Sequence, residues 1–277
     1  MAQGPLARAA LQFVGLALLG LGLLAGAGSQ ALEGRRAGRE PPLPSPFLVW
    51  AAAVPLTLVA GAVVGGPLVV LGILQGPGPA ATLLSALVTA AVPLLLIRLF
   101  LAEAGLRWAD LGWRATRRVS DDLAAGATLA LPVLFVTLAL GGLLQSVLPT
   151  PESPLPPAHD LPGGLANLAV AIVVAPSWEE TFYRGYALTV WLPGLGPGRA
   201  VVRSALFFAV VHVLTVGGST FPEALGRALF AFLVRLPVAF VLGWLFLRRR
   251  SLWATAGLHA AYNGIPVLLA FVAGSGG

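Results

Sequence analysis

The sequence predicts an all-α, polytopic membrane protein of about eight transmembrane helices that enclose an intramembrane polar site. Three observations predict it. First, 57% of the 277 residues are hydrophobic and only 10% are charged, with a mean hydropathy of +0.88. Soluble domains carry about a quarter charged residues. Second, the apolar residues come in runs of about 20 or more, the length that crosses a bilayer as a helix. The ~10-residue alternation of a membrane barrel is absent. Third, an eight-span arrangement puts nearly all the loop arginines on one side.

The apolar segments cover roughly 9–30, 47–74, 79–102, 122–147, 163–190, 199–217, 223–247 and 252–273. Pro55, Pro67, Pro93 and Pro132 interrupt them, which spanning helices tolerate because neighbours re-satisfy the freed backbone groups. Polar or proline-rich stretches separate the spans at Glu33 to Pro46, Glu103 to Asp122 and Pro149 to Pro162. No internal repeat or long linker divides the chain, so residues 1–277 read as a single integral membrane domain.

Orientation follows from the arginines. Arg35, Arg36 and Arg39 follow the first span; Arg107, Arg114, Arg117 and Arg118 follow the third. Arg199 and Arg203 follow the fifth, and Arg248, Arg249 and Arg250 end the seventh. The opposite side carries little beyond Arg8 and Arg227. The positive-inside rule makes the rich side cytoplasmic and puts both termini outside. Arg8 with the apolar run after it also resembles a signal peptide. That run is long for one, however, and cleavage would strand Arg35, Arg36 and Arg39 on the wrong side, so the first span is expected to be retained. All 17 basic residues are Arg. This fits a GC-rich genome and a bacterial inner (cytoplasmic) membrane as the expected location. The loop around Leu111 to Arg114, with Trp108 and Trp113, reads as an orientation and lipid-headgroup feature.

There is no cysteine, which excludes disulfides and thiolate chemistry. The chemistry must come from polar residues placed where they are costly. Residues 177–184 read Ser-Trp-Glu-Glu-Thr-Phe-Tyr-Arg after an apolar run from Leu168 to Pro176. Each charge at membrane depth costs at least ~2.5 kcal/mol. Glu180 and Arg184 are four apart on one helix and are expected to pair. Such a pair alone could be structural, but it leaves Glu179 unexplained. Glu179 points about 100° away and has the character of a general base. His212 ends the run Phe207-Phe208-Ala209-Val210-Val211-His212, with Phe208 one turn before it. His259 and Asn263 are four apart on the last span. Each group could be a core hydrogen bond or packing contact by itself; all three on consecutive polar-bearing spans are harder to explain that way. From the expected cytoplasmic ends, Glu179 lies ~15 Å down, His212 ~20 Å, His259 ~12 Å and Asn263 ~18 Å, at ~1.5 Å per residue. One pocket could hold all four. His159, in a proline-rich outer loop, is assigned no role.

The order Glu179-Glu180-x-x-x-Arg184, Phe208-x-x-x-His212, His259-x-x-x-Asn263 resembles the CPBP family of intramembrane proteases (CAAX proteases and bacteriocin-processing enzymes, also called Abi). The type II CAAX prenyl endopeptidases belong to that family. The resemblance covers about residues 165–270. It implies an endopeptidase in which Glu179 and His212 activate a water and His259 and Asn263 stabilise the oxyanion. Glu180, Arg184 and Phe208 would support them. The expected partners are membrane lipids and a peptide or membrane-anchored protein substrate, CAAX-like or other, with no nucleic acid. A metal is left open. If a divalent ion such as zinc is present, Glu179, His212 and His259 would be its ligands, since two His and one Glu serve catalytic zinc. The sequence has no His-Glu-x-x-His.

Two other functions remain. A non-catalytic CPBP-like scaffold or immunity protein would keep the fold without the chemistry, yet the polar set is intact. A proton-coupled transporter would use the acids as a relay but favours two matching repeats. Here all the intramembrane polar groups recognised above lie in the second half.

Overall fold

The structure, a computed structural model, describes residues 5–36, 38, 43–76, 78–114 and 118–275, with side chains from residue 20 onward except those of Arg36 and Ser275. Arg39, Arg117 and Gly277 lie outside the described residues, as do the side chains of Arg8 and Arg36. The regular structure among the described residues is all helical. In order it comprises α1 (Pro5–Arg36), α2 (Pro46–Val70), α3 (Pro79–Glu103), a 3₁₀ turn (Trp108–Leu111), α4 (Val119–Leu144), α5 (Leu161–Ala169), α6 (Ala175–Glu180), α7 (Leu188–Val211), α8 (Phe221–Arg249) and α9 (Leu252–Ser275). Two π-helical turns join α5 to α6 (Val170–Val174) and α6 to α7 (Thr181–Ala187).

Six helical stretches among the described residues are long and apolar enough to cross a membrane, which makes this an integral multi-pass protein. They are α2, α3, α4, the 51-residue stretch Leu161–Val211, α8 and the α9 stretch Leu252–Gly274. The expected fifth and sixth spans are both in the long stretch. A kink separates them at Gly196 (φ 72°, ψ 170°), a backbone region that glycine enters without steric cost. Pro193 and Pro197 flank it. The sixth segment is also shorter than 199–217 suggests: α7 ends at Val211, and residues 212–220 are not regular helix. Non-helical backbone at this depth is sustainable only where protein or a cavity surrounds it.

The two π-turns bracket the acidic pair. Pro176 has no N–H and its ring crowds the carbonyl four residues back. The turn before it answers by widening, and the Ala175 N–H bonds the Val170 carbonyl five residues away. Such one-residue expansions recur at functional sites. The main core is aromatic. Phe47 and Trp50 of α2, Phe182, Tyr183 and Tyr186 of the second π-turn, and Trp191 and Phe207 of α7 interlock there. A second cluster joins α4, α8 and α9 through Val133, Val238, Leu242, Ala254 and Leu258.

The arginine-rich loops do gather at one end of the bundle. Arg203 pairs with Glu33, Arg249 with Asp122, and Trp253 Nε1 donates to the Arg114 carbonyl. At the other end, Arg227 reaches Glu152 and Glu223. Beside it, a cavity of about 530 Å³ is lined by Glu152, His159, Asn167 and Phe271. The Leu111–Trp113 loop departs from its expected headgroup role. Leu111 is fully buried, the Gly112 carbonyl accepts from the Leu252 N–H, and Trp113 Nε1 donates to Thr181 Oγ1 at 2.8 Å. It is a plug set into the protein against the second π-turn, directly behind the acidic pair.

Candidate active site

Four elements deliver the expected residues to one place. α6 ends in Glu179 and Glu180, the second π-turn carries Arg184, α7 supplies Phe208 and is capped by His212, and α9 supplies His259. Glu180 and Arg184 are both 0% exposed, and Glu180 Oε1 lies 2.9 Å from Arg184 Nη1. The guanidinium also donates to the Ala239 carbonyl of α8 at 3.3 Å and lies 4.4 Å from the centre of the Phe208 ring. The same Glu180 oxygen is 2.7 Å from His259 Nδ1. This pair therefore holds α6, α7, α8 and α9 together. Sequence spacing identified the ion pair, but not its ties to α8 and α9.

Glu179 is also buried but is placed differently. Its Oε2 lies 3.5 Å from His212 Nε2 and 3.7 Å from His259 Nε2, and it has no hydrogen-bond partner. The imidazole tautomers follow from the opposite ring nitrogens. His212 Nδ1 is 2.7 Å from the Phe208 carbonyl, which only accepts, so Nδ1 carries the proton. His259 Nδ1 faces Glu180 Oε1, the oxygen that already accepts from Arg184, and donates to it in the same way. In neutral rings both Nε2 lone pairs then face the Glu179 oxygen, and three acceptors converge with no hydrogen between them. A buried acceptor left like this is costly. The gap suits a bridging water, a shared proton or a cation.

Asn263 is one helical turn beyond His259 and half-buried. Its side chain makes no hydrogen bond with another described residue. Phe208 does more than pack: its carbonyl sets the His212 tautomer, and its ring is 4.3 Å from the His212 ring and 6.0 Å from that of His259. His159 is at the other end of the molecule, in the lining of the 530 Å³ cavity. Among the described residues, no group of three or more His, Asp or Glu is set to hold a metal ion.

One charged residue escaped the sequence reading. Arg235 lies midway along α8, half-buried, and Nη1 donates only to the Ala231 carbonyl of its own helix, at 2.9 Å. The signal was present in the sequence, as a lone Arg inside an apolar run, but it matched no expected motif.

Residues 161–265 match the family model described as type II CAAX prenyl endopeptidase Rce1-like. Over that stretch, from α5 to α9, the chain is similar to the CAAX-type endopeptidases. No curated protein and no solved structure was found to match.

Proposed function

We propose that this chain, with its Rce1-like domain, is an intramembrane endopeptidase that cleaves membrane-associated substrates, CAAX-like or other, with a water activated by Glu179 and His212. The observation that carries the reading is the buried Glu179 Oε2, unpartnered and 3.5 and 3.7 Å from two imidazole nitrogens. A water in that gap donates one hydrogen to Glu179 and the other to His212 Nε2, which leaves its lone pair free for a peptide carbonyl. Attack forms the C–O bond and passes the water's proton to Glu179. Collapse breaks the C–N bond, and that proton moves to the leaving amine. His259 contributes as a donor: with protons on both nitrogens it gives Nδ1–H to Glu180 and Nε2–H to the developing oxyanion. Glu180 and Arg184 hold that ring in place. Asn263 is assigned the second oxyanion donor, on its position one turn along the same face of α9.

The donor set bears on a metal in two ways. Two ligands of a tetrahedral zinc stand ~3.4 Å apart, close to the two Glu179 separations, and both Nδ1 atoms are oriented by acceptors as ligand histidines are. As placed, however, Glu179, His212 and His259 do not form a metal-holding group. A bound zinc would take these three side chains and polarise the water; the steps above do not require it.

The test is peptide cleavage by the purified protein in lipid nanodiscs. Glu179→Gln should lower turnover by at least ~10²-fold, the scale of general-base catalysis, with an unchanged melting temperature. Cleavage by Glu179→Gln at the wild-type rate would sink the reading. A chelator arm with zinc add-back separates the metal version.

A further inference from the structure

Arg235 occupies an unusual position for a cation. It is midway between Phe221 and Arg249, about 21 Å from either end of α8 at ~1.5 Å per residue. It shares a helix stripe with Ala231 and Ala239, four residues to either side and essentially fully buried. Ala239 is the residue whose carbonyl accepts from Arg184, so this stripe of α8 faces the active site. Arg235 is in no ion pair among the described residues, while Arg184, Arg203, Arg227 and Arg249 each have a carboxylate. Across the bundle, Tyr262 of α9 and Glu179 lie close enough to act on its charge. Tyr262 precedes Asn263, and its hydroxyl already donates to Thr137 Oγ1.

A guanidinium at membrane depth without an ion-pair partner is as costly as the acids that identified the site, and among the described residues no carboxylate lies within ion-pair distance of it. We propose that Arg235 is a substrate-binding residue that receives a carboxylate of the peptide substrate, one helical turn from the catalytic layer and away from the cytoplasmic side. The planar fork of five donors suits a carboxylate better than an ammonium would. Lipid phosphates are a poor match, because the middle of a ~30 Å hydrocarbon core is ~15 Å from either headgroup layer. A substrate carboxylate held there would fix the register of the chain and decide which peptide bond lies over Glu179. The inference rests on the hydrolytic reading for its purpose, but its test does not need turnover.

Binding is measured in zwitterionic nanodiscs on the Glu179→Gln background. The probes are a fluorescent apolar nonapeptide with a free C-terminal carboxylate, the same peptide as its C-terminal amide, and the amide carrying one internal Glu. The acid, the Glu-bearing amide or both should bind roughly 10- to 100-fold tighter than the plain amide, the scale of one charge-assisted pair. Which of them does so identifies the source of the carboxylate. Arg235→Ala should erase the difference by weakening only the carboxylate-bearing probes, and Arg235→Lys should restore part of it. Equal binding of all three probes to the Arg235-containing protein would overturn the proposal. So would an Arg235→Ala effect that is the same on every probe, or, in the wild-type background, one that shifts the pH profile of acid and amide cleavage alike. A carboxylate preference without any cleavage by wild type would end the hydrolytic reading and leave this site standing; cleavage without the preference would do the reverse.

Discussion

α2 and the helices of the α4–α9 seam are all apolar enough to span a membrane, yet they meet the rest of the molecule in opposite ways. In α2, Gly61, Gly65 and Gly66 have open space where a Cβ would stand. In the seam, a Cβ on Gly126 would run into the Ala254 carbonyl oxygen and the Leu258 N–H, and one on Gly257 into the Leu123 backbone. Small residues let membrane helices pack backbone to backbone where lipid gives no hydrophobic drive between them. Here that contact lies two residues before His259. Hydrophobicity locates both spans; only the glycine contacts distinguish a helix that lines the periphery from one that carries a catalytic candidate.

The largest expected effect is on the site side of this comparison. Arg184→Ala removes the buried partner of Glu180 and the tie to Ala239, and should destabilise by about 3–5 kcal/mol. Glu180→Gln in the same chain should recover part of that, since no lone carboxylate remains. Recovery stays partial because His259 Nδ1 keeps only a neutral acceptor. Glu179→Gln should recover none. Leu58→Ala, on a lipid-facing part of α2 (71% exposed), is the control and should stay within ~0.5 kcal/mol. Thermal melting in one detergent decides it. Rescue by Glu179→Gln would mean the two carboxylates have exchanged roles.

The seam gives the second effect. Gly257→Ala should force α4 and α9 apart, at a cost of about 1–3 kcal/mol, and should lower turnover by displacing His259. Gly65→Ala in α2 should be neutral or slightly stabilising. Equal melting shifts for the two variants would erase the distinction between seam and periphery.

The same contrast explains what the sequence made legible. Glu180 and Arg184 announce their pairing by four-residue spacing, and the arginine loops announce their common end by charge. Three features follow from tertiary contacts that spacing does not encode. One is the link from His259 to Glu180, which turns a local ion pair into a joint between helices. Another is the Leu111–Trp113 plug, whose tryptophan resembles a headgroup anchor until Thr181 is seen beneath it. The third is the pair of π-turns. Pro176 accounts for the first, but nothing in Thr181–Ala187 predicts the second. The kink at Gly196 was readable as Pro-Gly punctuation, yet the break of helix after Val211 was not, because Val213, Leu214 and Val216 continue the apolar run. Arg235 was missed for the opposite reason: it is one letter in an otherwise ordinary span.

The smallest effect concerns α1, which is less apolar than α2 and is tied to the site half at its end. Trp191 Nε1 donates to Gln30 Oε1 at 3.1 Å, and Arg203 grips Glu33 with two hydrogen bonds, at 2.9 and 2.7 Å. That guanidinium holds the Glu33 carboxyl below its usual value of 4.5. A carboxylate with a depressed folded value adds stability that is fully present above its unfolded value and is lost as pH falls through the folded one. The pair is partly exposed, so its worth is at most about 1 kcal/mol despite the two-pronged geometry. Glu33→Gln should therefore melt slightly lower than wild type at pH 7, and the gap should close as the buffer is taken from pH 5 towards pH 3. Because both proteins share every other titrating group, the difference between their curves isolates this pair. A gap that stays constant down to pH 3 would show that Glu33 acts through packing and not through its charge. A gap as large as that of Arg184→Ala would remove the ranking that sets the site half apart from the helices around it.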